Sequence, residues 1–385
     1  MKKLDNYIIR DYGVLTDNYF LEPLFKLENF PVFFGCVNTP IEEDLFADMH
    51  WSIDTETGIV QLTKLIPPEI LYKEQHVDGI GKTWQDYYDY FSQYIVIQNP
   101  KSILEIGGGS GQIAERVVKL NMNVKWLIVE PNPTFKENER IKIISSFFNQ
   151  ELSMSNVAKE NIDTIVFSQV WEHSYDPIQF MDDIDIFLKI GDKLIFAYPD
   201  LELWLTRKYT NALNFEHTML LTEKHIDALL THYNFEVLDK TYYEEHSFLY
   251  TLKKHAGPII KEPIPNLYTK YKGIFNDFII FHKNEVDTLN ENIELSENPI
   301  YIFGAHIFTT YLIAFGLNIS KVKSILDNSE TKQGKRLYGT NIIVHSPEIL
   351  RNEKTPVLIL KAGIYNNEIK NQILSQINSD TIFWE

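Results

Sequence analysis

The chain has 385 residues, 44% of them hydrophobic and 13% aromatic, with 53 acidic against 36 basic side chains and a net charge of −17. That length exceeds a single core, the apolar content excludes a disordered chain, and the negative field disfavours a nucleic-acid substrate. Cys36 is the one cysteine, so an internal disulfide and a thiolate zinc site are excluded. No apolar run approaches membrane-spanning length and no hydrophobic signal region follows Met1, so a cytoplasmic protein is expected.

Residues 1–82 read as a small irregular domain, aromatic and punctuated by proline, with a hairpin near Trp51–Leu62. From 83 to 256 apolar strands alternate with amphipathic stretches. The strands are expected at Ser102–Ile106, Lys125–Val129, Ile141–Ile144, Thr164–Ser168, Lys193–Tyr198 and Glu236–Tyr242. This is the grammar of a doubly wound α/β sheet, which binds ligands at the carboxyl ends of its strands. Gly257-Pro258 and Pro263-Ile264-Pro265 mark a connector, followed by a helix over about 266–292. Residues 257–385 form a second, Rossmann-like α/β unit, with Pro299–Phe303, the turn Gly304-Ala305-His306, and Val322–Leu326 ending in Asp327.

The first strand runs into Glu105-Ile106-Gly107-Gly108-Gly109-Ser110-Gly111, and a helical pattern begins at Gln112. Gly107, Gly109 and Gly111 allow a tight turn and close approach of the backbone to a ligand. The second strand ends in Glu130, about 20 residues on, where a carboxylate can accept from both ribose hydroxyls of an adenosine. Position 112 is Gln, so the spacing is Glu-x-Gly-x-Gly-x-Gly rather than the dinucleotide Gly-x-Gly-x-x-Gly. It fits S-adenosylmethionine and a class I methyltransferase sheet. A serine elbow would need glycine at 112, and the three letters Gly81-Lys82-Thr83 lack the rest of a P-loop.

Several segments together resemble the sugar C-methyltransferases, which use S-adenosylmethionine on nucleotide-linked keto-sugars. They are Leu104–Gly111, Val129–Asn132, Val170–Pro177, Asn214–Thr222, Tyr301–Ala305, Asp327-Asn328, Lys332–Gly334 and His345–Glu348. The resemblance implies a substrate-side N-terminal domain, a central cofactor domain and a C-terminal Rossmann-like domain. It also places the family's two Cys-x-x-Cys pairs at Ile9–Gly13 and Asp54–Gly58, where all four thiolates are missing. No metal is therefore expected, and the N-terminal piece should be held by aromatic packing alone. The family's His-Glu-His triplet becomes Phe215-Glu216-His217, and its tyrosine segment falls on His76.

Methyl transfer to carbon beside a keto group needs a base near neutral pKa, and histidine fits best. The expected catalytic residues are His217 with Glu216, and then His76. The expected cofactor residues are Glu105, Gly107, Gly109, Gly111, Glu130 and, at the methionine end, Gln169, with Phe147 or Phe148 beside the adenine. Tyr198, His173, Arg207 and Lys208 are assigned to the substrate, the two cations to a diphosphate. Lys332, Lys335 and Arg336 form a second basic cluster. The partner is a small nucleotide-sugar, with no nucleic acid or membrane, and the chain a monomer or homodimer. Three alternatives remain at this point: a sugar O-methyltransferase, an oxidoreductase using the turn at Gly304, and a non-catalytic binding protein that keeps the glycine turn without a base.

Overall fold

The structure, a computed structural model, describes residues 2–73, 81–153, 161–257 and 260–385. The middle of the chain closes into one seven-stranded sheet. Its strands are β1 (Ser102–Ile106), β2 (Lys125–Val129), β3 (Ile141–Ile144), β4 (Thr164–Ser168), β5 (Lys193–Pro199), β6 (Phe235–Tyr243) and β7 (Ser247–Lys254). They lie in the order β3-β2-β1-β4-β5-β7-β6. β1 to β5 pair in parallel, while β7 runs antiparallel between β5 and β6. The chain winds outward in one direction from β1 and in the other from β4, so the crevice above their carboxyl ends is the switch point where such sheets bind ligands.

Both faces of the sheet are buried over β1, β4, β5 and β7, which is why the central strands read as continuous apolar runs. On one face the helices α1 (Lys82–Ile97) and α2 (Gln112–Leu120) pack Tyr87, Phe91, Ile113, Ala114 and Val117 against Ile103, Trp126 and Val166. On the other, α3 (Pro177–Phe187) packs Met181, Ile184 and Phe187 with Leu104, Ile106 and Phe167. Its start is fixed by Pro177 in the first turn and by Asp176, whose carboxylate accepts the amides of Ile178 and Gln179.

Strand β7 was not anticipated. Its first six residues are all buried, and it follows β6 through Glu244-Glu245-His246, where Glu244 takes a positive φ of 47°. No glycine or proline marks that turn, so the sequence pattern does not announce it.

The N-terminal residues are not irregular. Leu21–Pro31, Leu45–Asp54 and Val60–Leu62 form an antiparallel sheet, and Met219–Leu220 of the central region adds a further strand beside Val60. Nor is aromatic packing alone what holds this piece. The buried Arg10 guanidinium donates to the carbonyls of Leu62 (2.9 Å), Tyr175 (3.2 Å) and Thr218. Asp54, also buried, accepts from Thr16, Thr57 and the Glu56 amide. A Cβ on Gly13 would fall 2.4 Å from Asp54 Oδ2, so the segments 9–13 and 54–58 are in direct contact. Polar networks tie them together, a device that composition does not reveal.

The helix expected over about 266–292 spans Tyr268–Leu295. Beyond it lies an all-parallel sheet of β8 (Ile300–Phe303), β9 (Val322–Leu326), β10 (Val344–His345), β11 (Val357–Leu360) and β12 (Ile382–Trp384), in the order β10-β9-β8-β11-β12. Arg336 clamps this part to the N-terminal sheet: its guanidinium binds both oxygens of the buried Asp44 at 2.6 Å. Among the described residues no helix is long and apolar enough to cross a membrane.

Candidate active site

A cleft of about 550 Å³ opens above the carboxyl ends of β1, β2 and β4. Its floor is the turn Gly107-Gly108-Gly109-Ser110. Gly107 has φ 77°, and a Cβ there would meet Val170 Cγ2 at 2.6 Å; Gly108 has no room either, since its Cβ would fall 2.4 Å from Glu105 Cδ. Gly109 lines the cleft and accepts the amides of Thr134 and Phe135 through its carbonyl. Gly111 is set back from the cleft; it begins α2 with φ 71°, and a Cβ would enter the Phe135 ring at 2.5 Å. The bare backbone is therefore a cradle that side chains would fill, the condition a nucleoside-bearing ligand needs.

Three further residues expected to hold the cofactor line the same cleft. Glu105 is 3% exposed and accepts Trp126 Nε1–H at 2.8 Å; burial pushes its carboxyl up to about 8, against the pull of that bond. Glu130, at the tip of β2, accepts the Asn132 amide at 3.0 Å. Gln169 follows β4 with a left-handed φ of 56°, and its Nε2 donates to Ser247 Oγ at 2.8 Å. β7 thus holds a side chain whose position the sequence could only suggest. Phe147 and Phe148 also line the wall. The sequence did not single out Tyr72, Trp84 or Tyr88, which complete an aromatic rim. Their spacing is that of ordinary core aromatics, and only the fold turns them inward.

At the opposite end the 3-10 turn Trp171–His173 meets the segment before Met219–Leu220. His173 and Glu216 both line the cleft, with His173 Nδ1 4.0 Å from Glu216 Oε2. His173 Nε2 faces Glu172 Oε1, also at 4.0 Å. Glu172 is fully buried, and no other residue donates a hydrogen bond to its carboxylate. Burial, reinforced by the charge of Glu216, pushes its carboxyl up to about 8. His217 lies behind this pair, its ring 5.4 Å from that of His173, with Nδ1 2.8 Å from the Ala212 carbonyl. Burial holds His217 below the usual histidine range. Glu172, His173 and His217 present ligand atoms all within 4.8 Å of one another.

Other expected residues lie elsewhere. Tyr198 is fully buried beneath the site and does not line the cleft. Arg207 is paired at the surface with Glu245, and Lys208 contributes its carbonyl to His282. Neither reaches the cleft, whose described lining contains no lysine or arginine. In the second basic cluster, Arg336 is committed to Asp44 and Lys332 to Asp327 at 2.9 Å. His76 lies outside the described residues. At the second glycine turn, a Cβ on Gly304 would fall 2.1 Å from His306 Nε2, so the imidazole covers the turn. Asp327 is engaged by the amides of Ala305 and Ser329 and by Lys332. That turn is closed by its own side chains, which removes the ground for the oxidoreductase alternative.

A Rossmann-like sheet with the glycine cradle on its first turn and an acid at the tip of its second strand is the frame of a methyltransferase domain. Residues 76–240 match a family model described as a methyltransferase domain, and residues 266–383 one described as a C-methyltransferase C-terminal domain. No curated protein matches the sequence. Among solved structures, the chain is similar to an O-methyltransferase family protein from Burkholderia thailandensis at 13% identity and TM-score 0.38, over 46% of this chain and 57% of that one. It therefore spans a little over half the length of that protein. It is also similar to the plantazolicin methyltransferase BpumL in complex with SAH (14%, TM-score 0.35, 45% and 82%) and to the PH0226 protein from Pyrococcus horikoshii OT3 (12%, TM-score 0.36, 49% and 96%). Likeness at this level carries no information about substrate.

Proposed function

We propose that the protein methylates a carbon beside the keto group of a nucleotide-linked sugar. The observation that carries this reading is the single cleft that runs from the glycine turn to the His173–Glu216 pair. A donor seated on the turn and an acceptor against the pair would then share one enclosed space. The match of residues 266–383 to a C-methyltransferase C-terminal domain supports carbon over oxygen. Bound S-adenosylmethionine supplies an electrophilic methyl group. Glu105 and Glu130 orient it from the turn side, and alignment of the reacting atoms supplies much of the rate.

Glu216 is assigned as the base because it lies on the cleft wall, whereas His217 is 7% exposed behind it. Glu216 takes the proton from the carbon next to the carbonyl, and the electron pair moves onto the carbonyl oxygen. The side of the cleft formed by His173 faces that developing charge. The carbon would then take the methyl group as the carbon–sulfur bond breaks, its electron pair leaving on the sulfur of S-adenosylhomocysteine. Hydrogen exchange at the ring carbon in deuterated water tests this directly. Exchange should occur with the wild type and fall at least about 100-fold in Glu216→Gln, the usual scale for a lost general base. A product bearing a methoxy group would refute carbon methylation.

A further inference from the structure

We propose that Glu172, His173 and His217 form a binding site for one divalent transition-metal ion at the acceptor end of the cleft. Whether the ion binds is independent of the function proposed above; only what it would do there rests on that reading. The first observation is Glu172 itself. A carboxylate fully buried, with no other residue donating to either oxygen, is a group that native proteins almost always compensate with a partner or an ion. Here the groups closest in chemistry are two imidazoles.

The geometry suits an ion. The three ligand atoms lie within 4.8 Å of one another, and metal–ligand bonds of about 2.0–2.2 Å would draw them together through sub-ångström side-chain shifts. Each histidine already has its outer nitrogen directed away from the site. His217 places Nδ1 on the Ala212 carbonyl at 2.8 Å, which leaves Nε2 for the ion. His173 turns Nε2 toward Glu172 and Nδ1 toward Glu216, each 4.0 Å away, so that Glu216 could accept from the outer nitrogen once the ion draws Nε2 inward. Two nitrogens and one oxygen select zinc, iron, nickel or manganese over calcium or magnesium. Three protein ligands leave a position open, and His173 brings that position to the cleft. A keto oxygen bound there would be polarised as its neighbouring carbon loses a proton to Glu216. The site owes nothing to cysteine, so loss of the N-terminal thiolates does not bear on it.

The test is metal binding to the full-length protein. After chelator stripping, incubation with zinc and desalting, elemental analysis should find about one ion per chain, and cobalt should give the visible bands of a four-coordinate site. Glu172→Gln and His217→Gln should each retain at least tenfold less zinc, while a surface control, His232→Gln, retains it; circular dichroism checks the fold of each. Should the variants fail to fold, the cobalt bands of the wild type decide, and their absence overturns the site. Equal zinc uptake by folded Glu172→Gln would also overturn it and leave Glu172 a protonated acid. Full-rate methyl transfer by ion-free protein would overturn the polarising role and leave the methyltransferase reading standing. Stoichiometric zinc without transfer to any keto-sugar would leave the metal site standing and overturn the function proposed above, the polarising role with it.

Discussion

Replacing Glu105 by glutamine isolates the cost of a charge at the base of the glycine turn. Burial raises this carboxyl from its ordinary 4.5 to about 8, with the Trp126 indole opposing and Glu130 adding to the rise. Folding therefore favours the protonated form. The stability this group contributes is fully present below 4.5 and is lost as pH rises through about 8. A displacement of that size corresponds to roughly 5 kcal/mol across the window, or about 1.4 kcal/mol per pH unit. Glutamine keeps the acceptor for Trp126 and never ionises. The variant should match the wild type within about 1 kcal/mol at pH 5 and exceed it by several kcal/mol at pH 9. Urea unfolding followed by circular dichroism at pH 5, 7 and 9 measures the difference. A second consequence concerns the ligand. A cationic amino group placed on Glu105 would expel its proton, so S-adenosylmethionine binding at pH 7 should release protons, seen calorimetrically in buffers of different ionisation enthalpy. Glu105→Gln should abolish that release. A stability difference that stays flat between pH 5 and 9 would refute the assignment of a buried, protonated Glu105.

Gly107→Ala forces a Cβ to within 2.6 Å of Val170 at a φ of 77°. Strain and overpacking should cost about 2–4 kcal/mol, and S-adenosylhomocysteine affinity measured by calorimetry should fall at least tenfold. Asp44→Asn leaves the Arg336 guanidinium buried without its counter-charge, and should lower stability by about 3–5 kcal/mol in thermal or urea unfolding. Opening the second turn with His306→Ala should still give no calorimetric signal with NAD, because Asp327 remains engaged by Lys332 and two amides.

Much of the central sheet was legible because its strands are short apolar runs separated by glycine and amphipathic segments. Strands β1 to β4 have the bounds the pattern predicts, and Glu105, Glu130 and Gln169 come together where strand ends must converge. Those are local signals, written within 30 residues of each other or at a strand tip. The far end of the cleft was only half legible. Glu216 could be named from its segment, but its place on the cleft wall depends on Met219–Leu220 pairing with Val60 in the N-terminal sheet. Nothing near residue 216 encodes that pairing. Likewise the cations at 207 and 336 read as substrate ligands until the fold paired them with Glu245 and Asp44. Periodicity and turn chemistry act over a few residues, and so the sequence by itself determined strands β1 to β6 and the glycine turn. Which buried charges meet, and which histidine reaches the cleft, is settled by contacts between segments 40 to 300 residues apart. Only the tertiary structure decides these, because burial and Coulomb pairing depend on distance in space rather than along the chain.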